Sequence, residues 1–160
     1  MPVLLEHNLD KLSGIIVSLG DAYDSLGQML TTHSNDEIDA VAERFIDIFG
    51  VENIVLEMIP IDILYRFTQK IGFQPIARND LIPDGNLGKS FNLLMWRLSK
   101  KYSLRVIPTT AAHFILPEDK MVQDCVSKNA YDSGKYFHES YIIKKSNEIY
   151  ATLKAHLGDD

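Results

Sequence analysis

The sequence predicts an α/β fold in which short parallel strands alternate with amphipathic helices. Continuous apolar runs bounded by turn residues occur at 14–19, 53–59 and 104–109, and such runs are typical of strands buried in a parallel sheet. Between them lie segments whose apolar residues recur every three to four positions, as on one face of a helix. This alternation favours a parallel sheet with right-handed crossovers.

Local signals mark where the helices begin and end. Ser34 and Glu37 have the spacing of a capping box, and the apolar stripe that follows them ends at Gly50. An amphipathic pattern predicts a second long helix, which carries Lys100 and Lys101 in its last turns. Proline and glycine residues predict a loop at 73–85. The predicted helices are 34–49, 61–71, 87–102, 118–128 and 148–156, and 21–30 is predicted to be a short helix or turn.

Composition sets limits on the class of protein. With 160 residues, 46% apolar and 24% charged, the chain 1–160 is expected to form a single domain with a real core. The net charge of −6 argues against autonomous binding to nucleic acid, which needs clustered Lys and Arg. The single Cys125 excludes an intrachain disulfide and fits a reducing cytosol. With neither a signal-peptide pattern nor a run of ~20 apolar residues, we expect a cytoplasmic protein without membrane contact.

The stretch 104–141 contains the most specific motif of the chain. A predicted strand runs into Thr109, Thr110 and His113, and Pro117 then opens a helix. This stretch resembles the polymerase-and-histidinol-phosphatase (PHP) domain of the bacterial and phage DNA polymerase III alpha subunit. That family has a strand ending in Thr-Asn-Asp-x-His or Thr-Thr-Asp-x-His, followed by Pro-Glu-Asp. The matching residues are Thr109, Thr110, His113, Phe114, Pro117, Glu118, Asp119 and Asp124.

Two further segments extend the resemblance over most of the chain. The family's Phe-x-Glu-x-Tyr-x-x-Lys-Ser segment is matched from Phe137 to Ser146, and its Phe-Gly strand with an internal Glu is matched at 49–58, with Glu57 at the Glu position. The resemblance implies a partial PHP-type β/α barrel with about three parallel strands, similar to the C-terminal half of the domain.

The chain departs from the family at its metal-binding positions. Ala111 stands where the family has the Asp ligand of the Asp-x-His pair, and the five histidines are isolated, with no His-x-His pair. His113 is the candidate metal ligand, but divalent metals need three or more protein ligands. We therefore expect no cofactor, and zinc or manganese only where another chain completes the site. No catalytic residue is predicted.

The remaining candidates are carboxylates and hydroxyls near the strand ends. Glu57 lies inside an apolar strand, and a buried carboxylate must be paired or functional; its resemblance to the family Glu implies a structural hydrogen-bonding role. Asp21, Asp24, Glu57 and Asp62 follow strands or lie in them and could converge near His113, but Asp21 and Asp62 are expected to cap helices. The residues with a structural or possible site role are Glu57, Thr109, Thr110 and Asp124.

Two other patterns are interpreted as structural. Cys125 shares one helix side with Met121, Val122 and Val126, so we expect it in the core. The aromatic and basic residues of 131–141 are interpreted as a packed loop rather than a nucleic-acid surface, because the net charge has the wrong sign.

Taken with the resemblance, these features imply a role in DNA replication. The chain is expected to be the PHP-domain part of a replicative DNA polymerase, acting as a non-catalytic structural or docking module although the whole family protein is a DNA-directed DNA polymerase. Expected partners are other parts of the polymerase or replisome, or a second copy joined through a strand edge. The alternatives are a small, phage-encoded regulator or decoy that binds a replisome partner, and a residual metal-dependent phosphoesterase completed by a second chain.

Overall fold

The described strands form one parallel sheet. The computed structural model describes residues 14–20, 29–30, 33–62, 86–110, 112, 115–122, 125 and 142–158. Within these ranges the sheet has the order β1 (Val17–Leu19), β2 (Ile54–Met58), β3 (Arg105–Pro108), with all pairs parallel. The predicted α/β class is confirmed, with a three-stranded sheet that is open, not closed into a barrel, in this part of the chain.

The first long helix follows from its local sequence. Helix α1 spans Asn35–Phe49, and a short 3-10 turn, Val51–Asn53, leads from it into β2. The Ser34 hydroxyl accepts a hydrogen bond from the Glu37 backbone N–H, and the Glu37 carboxylate accepts one from the Ser34 backbone N–H at 2.8 Å. The Ser34 hydroxyl also donates to the Glu37 carboxylate at 2.8 Å, and the bonds from the Ser34 backbone and hydroxyl to this carboxylate hold the pKa of Glu37 below its usual value. The predicted capping box is therefore confirmed.

Helices α2 and α3 complete the described helical layer. Helix α2 spans Leu87–Tyr102; Asn86 caps it by accepting from the Lys89 backbone N–H at 3.1 Å. Helix α3 spans Ser146–Leu157, two residues longer at its start than predicted, and packs against α2. A 3-10 turn occupies Pro117–Asp119, and the described residues from 120 to 125 are helical. Of the predicted helix 61–71 the structure describes only Ile61 and Asp62, neither of which is helical, and of 21–30 it describes only Met29 and Leu30.

The core lies between the sheet and helices α1 and α2. Successive strand residues point to opposite faces of a sheet, and Ile54, Leu56 and Met58 share the face that is buried. They pack in one cluster with the apolar stripes of α1 and α2. Burial of each such side chain stabilises the fold by about 1.5–3 kcal/mol. The fully buried members with the largest volumes are Ile38, Ile54, Leu56, Ile61, Met95 and Leu98.

The prediction that Cys125 lies in the core is wrong. Cys125 is exposed, and its helical neighbours Met121 and Val122 are 72% and 61% exposed. The physical reason is that an apolar stripe indicates one face of a helix, but it does not specify which element packs against that face.

The other face of the sheet is only partly covered. We define the outer face by the strand positions that point away from the core, together with Ile16 just before β1. Its residues are Ile16, Ser18, Val55, Glu57, Arg105, Ile107 and Thr109. Ile16 is 69% exposed and Ile107 is 42% exposed, while Val55 and Glu57 between them are half-buried. The outer face is thus a mixed apolar and polar surface.

Candidate functional site

A hydrogen-bonded row of side chains crosses the outer face at the carboxyl end of the strands. Glu57, on the central strand, accepts from the Ser18 hydroxyl of β1 through Oε1 and from the Thr109 hydroxyl through Oε2, the latter at 2.8 Å. The Thr109 backbone N–H also donates to the Met58 carbonyl at 2.9 Å, which continues the pairing of β2 with β3. The carboxylate of Glu57 therefore links all three strands.

Gly20 allows β1 to approach this row closely. A Cβ atom added at Gly20 would lie 2.5 Å from the Glu57 carbonyl oxygen and 2.8 Å from its backbone nitrogen. The residue also has φ +128°, a conformation that side chains with a Cβ rarely adopt. Glycine is the one residue that fits here, because both the space and the backbone conformation exclude a side chain.

The structure brings two of the predicted site residues together. Glu57 and Thr109 are in direct contact. Thr110 is exposed just beyond β3. His113, Ala111 and Asp124 lie outside the described residues, so the predicted metal ligand and its missing partner stay predictions. Among the described residues, no group of three or more His, Cys, Asp or Glu side chains could hold a metal ion.

A second polar cluster, which the sequence analysis did not find, lies where the chain leaves β2. Asn92 of α2 is fully buried, and its amide binds both backbone groups of Ile59: Oδ1 accepts from the N–H and Nδ2 donates to the carbonyl, each at 2.9 Å. The same Nδ2 lies 2.8 Å from Nδ1 of His156 in α3, a side chain that is 4% exposed. One amide thus connects α2, α3 and the end of β2.

The cluster reaches the surface at Asp62. Nε2 of His156 lies 2.9 Å from Asp62 Oδ1, and the Asn86 amide donates to the same oxygen at 2.6 Å. The hydrogen bond from His156 is the main cause of a pKa of Asp62 below its usual value, a shift that the Asn86 bond reinforces and partial burial opposes. Residues 63–85 are outside the described ranges, so the predicted helix-capping role of Asp62 stays a prediction.

Lys144 lies at the edge of this cluster, near Asp62. Its ammonium donates to the Pro60 carbonyl. Desolvation on partial burial lowers the pKa of Lys144, although Asp62 and Glu148 oppose that shift. The cluster therefore holds a positive and a negative group close to one another at the surface.

A buried ion pair joins α1 to α2 away from both clusters. Asp39 is 7% exposed; its carboxylate accepts from Arg97 Nη1 at 3.0 Å and from Lys101 Nζ at 2.6 Å. Burial acts to raise the pKa of Asp39, but the bonds from Arg97 and Lys101 outweigh it and lower the pKa. The hydrogen bond to Asp39 in turn raises the pKa of Lys101. This group connects the two helices.

Comparisons with known proteins found no match to a family model and no match to a curated protein. Within the described residues, no helix has the length and apolar character needed to cross a membrane.

Proposed function

We propose that the chain is a non-catalytic docking module of a replicative DNA polymerase assembly, similar to the C-terminal half of a PHP domain. The proposal starts from the sequence resemblance. Two positions on which that resemblance rests, Glu57 and Thr109, are 52 residues apart and are joined by a hydrogen bond. The two motif segments therefore lie side by side on neighbouring strands, which supports their interpretation as parts of one motif.

The observation that carries the docking role is the exposure of the outer face. Ile16 and Ile107 are exposed on the same side of the sheet, with half-buried Val55 between them. Exposed apolar side chains among polar ones on a sheet face favour a protein partner. In the described sheet, β1 and β3 each pair with a single neighbour, so their free edges add backbone donors and acceptors to the same surface. The occupant that we propose is another segment of the polymerase.

The polar row on the outer face supports a structural role for its carboxylate. Both oxygens of Glu57 accept from hydroxyl groups of the flanking strands. A carboxylate used in this way holds the strands in register and presents a negative charge at the centre of the face. The overall charge of −6 also opposes direct contact with nucleic acid.

The test is binding of the purified full chain to a purified bacterial DNA polymerase III alpha subunit, followed by size-exclusion chromatography with light scattering. Ile16→Asp and Ile107→Asp are expected to weaken the complex at least about tenfold, or about 1.4 kcal/mol, because each places a charge in the buried contact. Tyr150→Asp is the matched control, since Tyr150 is 68% exposed on α3.

Two results would contradict the proposal. One is the absence of a complex, or equal weakening by the Tyr150 and outer-face variants. The other is a homodimer that contains stoichiometric zinc or manganese by elemental analysis and loses it in His113→Ala. That second result would favour the metal-dependent phosphoesterase completed by a second chain.

A further inference from the structure

The buried His156 has a hydrogen-bond partner at each ring nitrogen. Nδ1 lies 2.8 Å from the Asn92 amide nitrogen, and Nε2 lies 2.9 Å from Asp62 Oδ1. The imidazole is 4% exposed, so it has little contact with water. The tautomer of the neutral ring is set by these two neighbours, because a neutral ring donates at one nitrogen and accepts at the other.

The backbone of Ile59 determines which nitrogen of His156 carries the hydrogen. Asn92 Oδ1 accepts from the Ile59 N–H and Nδ2 donates to the Ile59 carbonyl. Turning the amide over would place its N–H groups against the Ile59 N–H and its oxygen against the Ile59 carbonyl. Both contacts are costly in a fully buried site. The second hydrogen of Nδ2 therefore faces Nδ1, which must accept it. Nε2 carries the hydrogen and donates it to Asp62.

We propose that Asn92, His156 and Asp62 form an acid-sensitive latch that holds α3 against α2. A proton added to Nδ1 of His156 would set an N–H group against the N–H of Asn92 in a site closed to water. The Asn92–His156 bond must then break, and a buried donor without an acceptor destabilises the folded state. The contact between α3 and the rest of the fold weakens as a result.

The charges around the ring do not cancel this effect. Asp62, which follows β2, attracts an imidazolium, but its side chain is 55% exposed and water screens the attraction. Lys144, which precedes α3, interacts with Asp62 and with Glu148 of α3, so the ring is not the only cation that Asp62 attracts. From α2 the ring is faced by the neutral Asn92. The neutral ring already donates from Nε2 to Asp62, so protonation leaves that hydrogen bond in place. The bond that protonation removes is the one from Asn92 to Nδ1.

The first test is urea unfolding of the full chain at several values between about pH 8 and about pH 5. Free histidine takes up its proton near about pH 6.5. If the latch opens when the ring gains a proton, the unfolding equilibrium constant of the wild type rises below that value, by at most about tenfold per pH unit. The variant His156→Gln is expected to lose this dependence on pH. The variant His33→Gln, at a half-exposed position before α1, is expected to keep it.

The variant Asn92→Asp is expected to reverse the effect of low pH on stability. The carboxylate still accepts from the Ile59 N–H, but its second oxygen loses the bond that Nδ2 makes to the Ile59 carbonyl. That oxygen can accept from a protonated Nδ1, so protonation now forms a bond in place of breaking one. The stability of this variant relative to the wild type is therefore expected to rise as the pH falls.

Side-chain ¹⁵N NMR of the unaltered chain decides the matter even where a variant fails to fold. At about pH 8 the latch requires an unprotonated Nδ1 and a protonated Nε2 in His156. A folded chain with Nδ1–H at about pH 5, with the resonances of α3 unchanged, would overturn the proposal. An equal pH slope in His156→Gln and wild type would do the same.

Discussion

The close approach of Gly20 to β2 makes Gly20→Ala the most informative substitution on the sheet. The added Cβ would lie 2.5 Å from the Glu57 carbonyl oxygen and 2.8 Å from the Glu57 nitrogen. Both atoms belong to the backbone of the central strand, so the contact cannot be relieved by rotation of a side chain. Either β1 or β2 has to move.

The expected loss of stability has three contributions. Holding a non-glycine residue at this φ costs about 1–3 kcal/mol. Overpacking against the backbone adds about 1–3 kcal/mol. The lower entropy of alanine in the unfolded chain offsets about 0.4–1 kcal/mol. The net effect is a loss of about 3 kcal/mol in the free energy of unfolding, a large fraction of the ~5–15 kcal/mol of a typical domain.

Gly14→Ala is the matched control, measured with Gly20→Ala by urea unfolding at neutral pH. Gly14 also has a positive φ, +72°, but a Cβ there would meet nothing within 4 Å. Its substitution is expected to cost about 1 kcal/mol, so about 2 kcal/mol of the difference reports the contact with Glu57. Equal losses of unfolding free energy in the two variants would show that backbone conformation alone accounts for the effect. The close contact with Glu57 would then contribute nothing.

Two other predictions concern α1. Ser34→Ala removes the cap of this helix and should lower the free energy of unfolding by about 1 kcal/mol in a thermal or urea assay. Ser34→Asn, which is also a good cap, should stay near the wild type in the same assay. An alanine variant as stable as the wild type would contradict the role of the cap. Asp39 has a lowered pKa in the folded chain because Arg97 and Lys101 outweigh its burial, so its contribution to stability is complete above its ordinary pKa of about 3.9 and is lost as the pH falls below it. Between about pH 6 and about pH 3 the free energy of unfolding should therefore fall further for the wild type than for Asp39→Asn. An equal fall in both proteins would refute the ion-pair account.

Elements with a local cause were predictable from the sequence. The capping box at Ser34 and Glu37 depends on residues three positions apart, and the extent of α2 follows from an apolar stripe over four turns. The three strands could be found because continuous apolar runs are typical of parallel strands, although one face of this sheet is only partly covered. Their order in the sheet follows the order in the chain.

Contacts between distant segments were not predictable in the same way. Asn92 and His156 are 64 positions apart, and His156 and Asp62 are 94 apart, so no spacing rule connects them. A usable signal was the position of Asn92 beside Phe91 and close to Leu94 within the apolar stripe of α2. A buried amide there requires partners. Cys125 shows the converse error, since periodicity identified a helix face but not what covers it.

The bonds between Asn92 and Ile59 have a consequence for how the chain can vary. A neighbouring strand would offer Ile59 one carbonyl and one N–H, and the amide of Asn92 offers the same pair of groups from a helix. Helix α2 is thereby aligned with the central strand to within one residue, because a shift along the strand would lose both bonds. Insertions or deletions between the two elements would leave this alignment intact, since the contact and not the length of the connection determines it.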